Sequence, residues 1–403
     1  MSETRVIYSV VILFSLVSGL IAWINSDANS DSSIKQTARN ECQYVTVGFG
    51  ENGTVPIHAE KFVSGLEIPW GLAFLPNGDI LVTERPGRLR IIKNGSLQPK
   101  SVANFQVGNT REGGLLGIAL HPNFTSNRYF YVYYTGVKNG EPVNRVQRYI
   151  LADDHNSAIP DLVVVDNIPA AGVHDAGRIK FGPDNMLYIA TGDARVPANS
   201  QNATIRSGKI LRITPDGGIP NDNPNPSEPW FVRGIRNSQG FDWLNSRTLV
   251  ITDHGPSGEY LARTGGDEVN IARAGDNLGW PITWRCETQG KMVAPILVWQ
   301  GAVPAGGAAI YRGNKIPEWT GSLLIGTLGS RHLHRVVFDL NGLPNMQSHE
   351  VYLQGEPPQG YGRLRDVENG PDGYLYVTTS NCDGRGVCPS DKDSILKILP
   401  GSR

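Results

Sequence analysis

Charge is scarce in this chain of 403 residues, and what there is nearly cancels: 37 Lys and Arg stand against 38 Asp and Glu, a formal net charge of -1. No basic run is interleaved with aromatics, so nothing favours nucleic acid as a partner. Long apolar stretches with a 3.6-residue period are missing too, which excludes a helical bundle. Cysteine occurs only four times, at Cys42, Cys286, Cys382 and Cys388. None forms a Cys-x-x-Cys pair and no histidine cluster lies nearby, which argues against a zinc site. By contrast the chain holds 47 glycines and 27 prolines, spread between short apolar stretches. That pattern predicts an all-β chain.

The short stretches repeat. Gly71–Val82, Arg178–Thr191 and Arg365–Val377 each read as strand, Pro-Asn or Pro-Asp turn (the last two as Gly-Pro-Asp), strand. Looser copies are Gly117–Tyr134, Gln239–Thr252 and Ala308–Ile325. Six units spaced by roughly 45 to 70 residues predict a six-bladed β-propeller of four-stranded antiparallel blades, rather than a sandwich. The strand near Lys61-Phe62-Val63 is expected to close the ring beside Ile395–Ile398 in the last blade. One propeller domain is expected over 56–403, although length alone would suggest two or three domains.

The N-terminus differs in kind. Val6–Ile24 is a run of 19 residues without a charge, long enough to span a bilayer core. Arg5 precedes it and Asp27 and Asp31 follow, which places the body outside the cytoplasm. Segment 1–24 is read as a membrane anchor, with a cleaved signal peptide as the alternative; Ser26-Asp27-Ala28 is a poor cleavage site. Segment 25–55 is read as a flexible tether. An extracytoplasmic chain favours disulfides. Cys382 and Cys388 share one Gly-rich loop, leaving Cys42 for Cys286 by elimination; four reduced thiols are the alternative, since four cysteines allow three pairings. Sequons at Asn52, Asn94, Asn123 and Asn202 fit an exported surface.

Within the third unit, His174 stands just before a hairpin and Asp193 just after it, 19 positions on. If the two strands pair, both groups fall at the same end, and a base oriented by a carboxylate is the minimum for proton abstraction. Other polar clusters occupy equivalent loops: Arg111-Glu112-Gly113-Gly114, Arg233–Gly240, Asp253-His254-Gly255-Pro256 and Arg363–Asp366. Taken singly, each reads equally as a turn or a blade-to-blade ion pair. Together they place three or more arginines around one channel with little matching acid, which suggests an anionic ligand. The turn after His254 offers carbonyls that suit a hard cation such as Ca²⁺.

Seven motifs occur in order: Gly-Gly-Leu-Leu-Gly-Ile-Ala-Leu-His-Pro-Asn-Phe (113–124), His-x-x-Gly-Arg (174–178), Arg-Asn-x-Gln-Gly (236–240), Gly-Pro (255–256), Asp-Glu-Val-Asn (267–270), Asn-x-Gly-Trp-Pro (277–281) and Arg-x-Arg-Asp-Val (363–367). In these the chain resembles the soluble quinoprotein glucose/sorbosone dehydrogenases, and more closely their aldose sugar dehydrogenase branch, from about 60 to 400. The resemblance implies pyrroloquinoline quinone (PQQ) held over Ca²⁺. It casts His174 as the general base toward the anomeric hydroxyl of an aldose sugar and Asp193 as its orienting partner. Arg236 and Asn237 would contact the quinone oxygens, the carbonyls of Gly255 and Pro256 would hold Ca²⁺, and Arg363 and Arg365 would pair with PQQ carboxylates. The product would be a lactone, with electrons passed on to an acceptor that the sequence does not identify.

There are departures from the family pattern. Glu112 stands where a glutamine is usual, Gly301 and Gly329 replace a threonine and a lysine, and Leu278 replaces an aromatic. Glu112 lies where it would repel PQQ. Arg331, two residues beyond Gly329, is expected to reach back and supply the absent charge. Two other classes remain open on the same scaffold: a non-enzymatic propeller binding a glycan or protein, and a calcium-dependent hydrolase such as a lactonase.

Overall fold

The computed structural model describes residues 41–108 and 111–401. The apolar segment 1–24 and residues 25–40 lie outside the described residues. Among those described, no helix is long and apolar enough to cross a membrane.

Six small antiparallel sheets form the six blades of a propeller. Their innermost strands are Pro69–Phe74, Leu115–Leu120, Ile179–Phe181, Gly240–Asn245, Ala305–Ile310 and Leu364–Asn369, which neighbour one another around the ring. The ring closes as expected: Ile57–Leu66 forms the outer strand of the last blade, with Val63 opposite Ile395 and Lys61 opposite Leu396. This joins the two ends of the domain through one sheet.

Each interface between neighbouring blades has its own apolar core. Leu75, Ile91, Phe130 and Val132 fill the first, and Ile179, Ile189, Leu211 and Tyr131 the second. Alternate residues of each strand thus serve one interface or the other, which is why the strands read as near-continuous apolar runs. The Gly-Pro-Asp turns are built alike. Asp184 accepts from the Met186 N–H at 3.1 Å and the Tyr188 hydroxyl at 2.9 Å; Asp372 accepts from the Tyr374 N–H at 3.3 Å and the Tyr376 hydroxyl at 2.9 Å. These aspartates lock turns and belong to the scaffold.

Three sheets carry five strands rather than four. In the first blade the short strand Ala103–Asn104 pairs with Arg88–Lys93. In the fourth and fifth, Gln43–Val45 and Glu51–Asn52 add in parallel to Leu297–Trp299 and Asn345–Tyr352. Residues 41–55 are therefore not a flexible tether. They form an arm that hydrogen-bonds two otherwise open blade edges. The Cys42–Cys286 disulfide fastens the arm, and Trp299 donates its indole N–H to the Phe49 carbonyl at 2.9 Å. Cys382 and Cys388 form the second disulfide.

Candidate active site

In every blade, the loop before the innermost strand and the loop after the second strand emerge at the same end, because those two strands are antiparallel. A cavity of about 520 Å³ lies among these loops. His174 comes from a loop of the first kind, Asp193 from one of the second.

The hairpin register is Ile179 opposite Ile189 and Phe181 opposite Leu187, so the residues flanking it converge. His174 Nδ1 lies 2.8 Å from Asp193 Oδ1, with both side chains buried. Asp193 also accepts the Arg195 N–H at 2.8 Å on the same oxygen and the Trp280 indole N–H at 2.9 Å on the other. A carboxylate held by three donors keeps its orientation, and it fixes the proton of neutral His174 on Nδ1. Nε2 then presents a lone pair to the cavity, where Arg236 Nη2 donates to it at 2.8 Å.

His174 adopts φ 66, a left-handed conformation that costs free energy in a residue with a Cβ and clusters at functional sites. Three contacts hold it there. Its N–H donates to Glu112 Oε2 at 3.0 Å, its carbonyl accepts the Ala194 N–H at 3.3 Å, and Gly192 lies against that carbonyl. A Cβ on Gly192 would overlap the His174 oxygen, so only glycine fits.

Four carboxylates surround this pair in different electrostatic states. Burial works to raise the pKa of Glu112, but the His174 N–H and the Arg385 guanidinium, 2.9 Å from Oε1, outweigh it and hold it below the ordinary range. Burial pushes Asp253 up to about 7, against the N–H groups of Arg236 and Asn237, which donate to it at 2.8 and 2.7 Å. Asp267 is likewise raised by burial to about 6 while accepting the N–H groups of Val303 and Gly255. Glu259, the most exposed of the four, forms an ion pair with Arg236. His254 is held neutral, down to about 4, chiefly by burial, and its Nε2 lies 2.5 Å from the Ala305 carbonyl.

Arg85, Arg363, Arg365 and Arg385 also line the cavity. Asp383 accepts from Arg363 Nη2 at 2.8 Å and from Arg365 Nη2 at 3.3 Å. One carboxylate does not balance the cluster. Burial lowers the Arg365 guanidinium to about 9 in spite of Asp383, and the like charges of Arg85 and Arg363 add to the effect. Such a wall favours an anion with several carboxylates.

Residues 66–389 match the family described as glucose/sorbosone dehydrogenase. The chain belongs to the glucose/sorbosone dehydrogenase family. It is therefore an oxidoreductase acting on the CH–OH group of sugars. The aldose sugar dehydrogenase YliI of Escherichia coli is 33% identical over 372 residues, covering 85% of this chain and 93% of the relative. Among solved structures, a putative oxidoreductase (glucose dehydrogenase) of Thermus thermophilus is 39% identical with a TM-score of 0.76, covering 85% of this chain and all of that one. The PQQ-bound aldose sugar dehydrogenase of Streptomyces coelicolor is 32% identical with a TM-score of 0.74, covering 86% of this chain and 99% of that one.

In this family member His174, Arg236, Asn237, Glu112, Gly255, Pro256, Arg363 and Arg365 line one cavity, with Asp193 hydrogen-bonded to His174. Asn237 is partly committed to the scaffold, since its Oδ1 accepts the Ala176 N–H at 3.0 Å. Arg331 is not part of the wall. It adopts φ 55 and pairs with Glu356 at 3.0 Å. Nor is there space for a side chain at Gly329, whose added Cβ would lie 2.8 Å from the Pro304 ring. The charge expected from Arg331 is present in Arg85 and Arg385, and acid matching Arg363 and Arg365 is present in Asp383. These three, with Trp280, Glu259 and Arg195, are residues sequence reasoning missed as site members. The signal available for Asp383 and Arg385 was their enclosure between Cys382 and Cys388, which clamp a loop at the cavity end.

Proposed function

We propose that this sugar dehydrogenase is a quinoprotein that oxidises aldoses at the anomeric carbon to lactones, using PQQ and Ca²⁺. The observation that carries the reading is His174 Nε2, a buried imidazole nitrogen at the cavity that is backed by Asp193 through Nδ1 and meets the Arg236 guanidinium there. The residues present suit the cofactor. PQQ carries three carboxylates, and Arg85, Arg363, Arg365 and Arg385 form an incompletely neutralised cluster that would hold them. Glu112 does not repel it outright, because its charge is taken up by Arg385 and the His174 N–H. Gly255 and Pro256 line the same cavity and would supply main-chain oxygens to Ca²⁺. The Gly255 N–H is held by Asp267, and an added Cβ would overlap the Gly265 carbonyl, so this turn keeps its shape.

When bound, PQQ supplies the quinone that accepts hydride from the anomeric carbon. The chain's own part is proton transfer and electrostatics. His174 Nε2 takes the proton of the anomeric hydroxyl as general base, a contribution of about 10²–10⁴ in rate. The imidazolium that forms lies beside the Arg236 cation. Asp193 on one side and Glu259 on the other carry the compensating negative charge. The two disulfides support a location outside the cytoplasm, where segment 1–24 would tether the enzyme to the membrane. Reduced enzyme would pass its electrons to a separate acceptor.

The test is to add PQQ and Ca²⁺ to the protein and screen aldoses with an artificial electron acceptor. Sugar-dependent dye reduction with lactone as product is expected. Absence of reduction across the screen, or lactone hydrolysis that needs no PQQ, overturns the proposal.

A further inference from the structure

Two of the cavity's arginines have no acidic partner among the described residues. Seven arginines line it with Glu112, Glu259 and Asp267, and Asp383 lies against Arg363 and Arg365. Most have assigned partners. Arg363 and Arg365 share Asp383, Arg385 pairs with Glu112, and Arg236 pairs with Glu259. Arg85 is partly buried in the wall beside Asp383 and Glu112. Asp267 is occupied by main-chain N–H groups.

Arg111 and Arg195 remain. Both residues are exposed, both line the cavity, and neither has a carboxylate within ion-pair distance among the described residues. Their backbones are tied to the base itself. Arg195 donates its N–H to Asp193 Oδ1 at 2.8 Å, and the preceding Ala194 N–H bonds to the His174 carbonyl. Next to Arg111, the Glu112 N–H bonds to the Gly172 carbonyl at 3.2 Å, while the Glu112 carboxylate holds the His174 N–H. Two exposed guanidinium groups thus rise from anchored positions on either side of the segment that carries the proton acceptor. Neither takes part in the ion pairs of Arg363 and Arg365 with Asp383.

We propose that Arg111 and Arg195 form an anion subsite at the rim, and that the preferred substrate is an aldose carrying a carboxylate or phosphate at the end of the ring away from its anomeric carbon. This rests on the sugar-oxidising reading of the same cavity. A sugar whose anomeric hydroxyl meets His174 extends its far end toward the rim. There a guanidinium fork suits an oxyanion through charge-assisted, bidentate hydrogen bonds. Because the subsite is open to water, its contribution depends on ionic strength.

The experiment compares kcat/KM for glucose, glucuronate and glucose 6-phosphate in the protein loaded with PQQ and Ca²⁺, at low and high salt. The anionic sugars are expected to exceed glucose by about tenfold or more at low salt, with the advantage shrinking at high salt. In the double variant R111Q/R195Q the ratio of anionic to neutral kcat/KM should fall by about tenfold, and in R111K/R195K most of it should be retained. The two charged sugars distinguish carboxylate from phosphate as the preferred group. Glucose turned over as well as or better than both overturns the subsite and leaves the dehydrogenase reading intact. If no sugar is oxidised, both fall. A ratio unchanged in the glutamine variant, with slower reduction of an anionic acceptor than of a neutral one, assigns the arginines to the acceptor instead and overturns the proposal.

Discussion

Trp280 donates its indole N–H to Asp193 Oδ2 at 2.9 Å, on the carboxylate oxygen that His174 leaves unused. The carboxylate is thereby gripped from both ends, and the Trp280 ring also lies 5.7 Å from the Arg236 guanidinium. Trp280→Phe keeps most of the ring and removes the donor. We expect kcat/KM to fall by about tenfold, consistent with loss of one hydrogen bond to a charged group. An unchanged kcat/KM would reduce Trp280 to a packing role.

His174→Asn removes the base. Sugar oxidation should drop by about 10²–10⁴ while PQQ binding, followed by titration of cofactor-free protein, persists. Asp193→Asn should be milder, since the base remains and only its orientation and charge compensation are disturbed. Near-normal turnover in His174→Asn would remove the assigned role.

The arginine wall gives a contrast between two single variants. Arg85→Gln should weaken PQQ binding by roughly 1.5–3 kcal/mol, the range for a hydrogen bond to a charged group. Arg331→Ala should leave the dissociation constant unchanged, because Arg331 pairs with Glu356 instead. The opposite ranking would place Arg331 in the cofactor site.

Calcium should be required for activity and should raise the melting temperature of the folded protein, as any ligand of the native state does. Exhaustive chelation followed by add-back checks both. Full activity with no metal found by elemental analysis is incompatible with the role proposed for Gly255 and Pro256.

Lys209 supplies a pH test of the scaffold. It is fully buried, its ammonium donating to the carbonyls of Asn199 and Ser207 at 2.8 Å each. Burial, with the Arg233 charge adding to it, lowers it to about 7. In the unfolded chain it titrates at about 10.4. Above that value the lysine is neutral in both states and imposes no cost. As pH falls toward 7 only the unfolded chain takes up the proton, so stability is lost across that window and levels off below it. Thermal melts between about pH 7 and pH 10 should show this rise with pH. Lys209→Met should flatten the dependence, and an unaltered slope would show that Lys209 is not its source.

How far the site was legible depended on how local each feature is. The pairing of His174 with Asp193 could be read from the chain because one short hairpin separates them, and a hairpin's register brings its flanks together. The partnership of Trp280 with Asp193 spans 87 positions and two blades, and nothing near Trp280 in sequence announces it. The arginine wall was half visible. Arg363 and Arg365 stood out in one motif, but Arg85 and Arg385 come from loops of different blades. Only closure of the ring sets them together and sends Arg331 elsewhere.

By itself the sequence determined the six-unit β architecture, the closing strand, the nearness of Cys382 to Cys388 and the meeting of His174 with Asp193. All follow from periodicity, turn residues and short-range geometry, which do not depend on where other blades lie. The tertiary structure decided the rest: that residues 41–55 form an arm on two blade edges, that Asp383 pairs with both Arg363 and Arg365, and that Arg111 and Arg195 line the cavity without an acidic partner among the described residues. Charge neutralisation and edge pairing act through space between groups far apart in the chain, so the sequence lists the charges without saying which will meet.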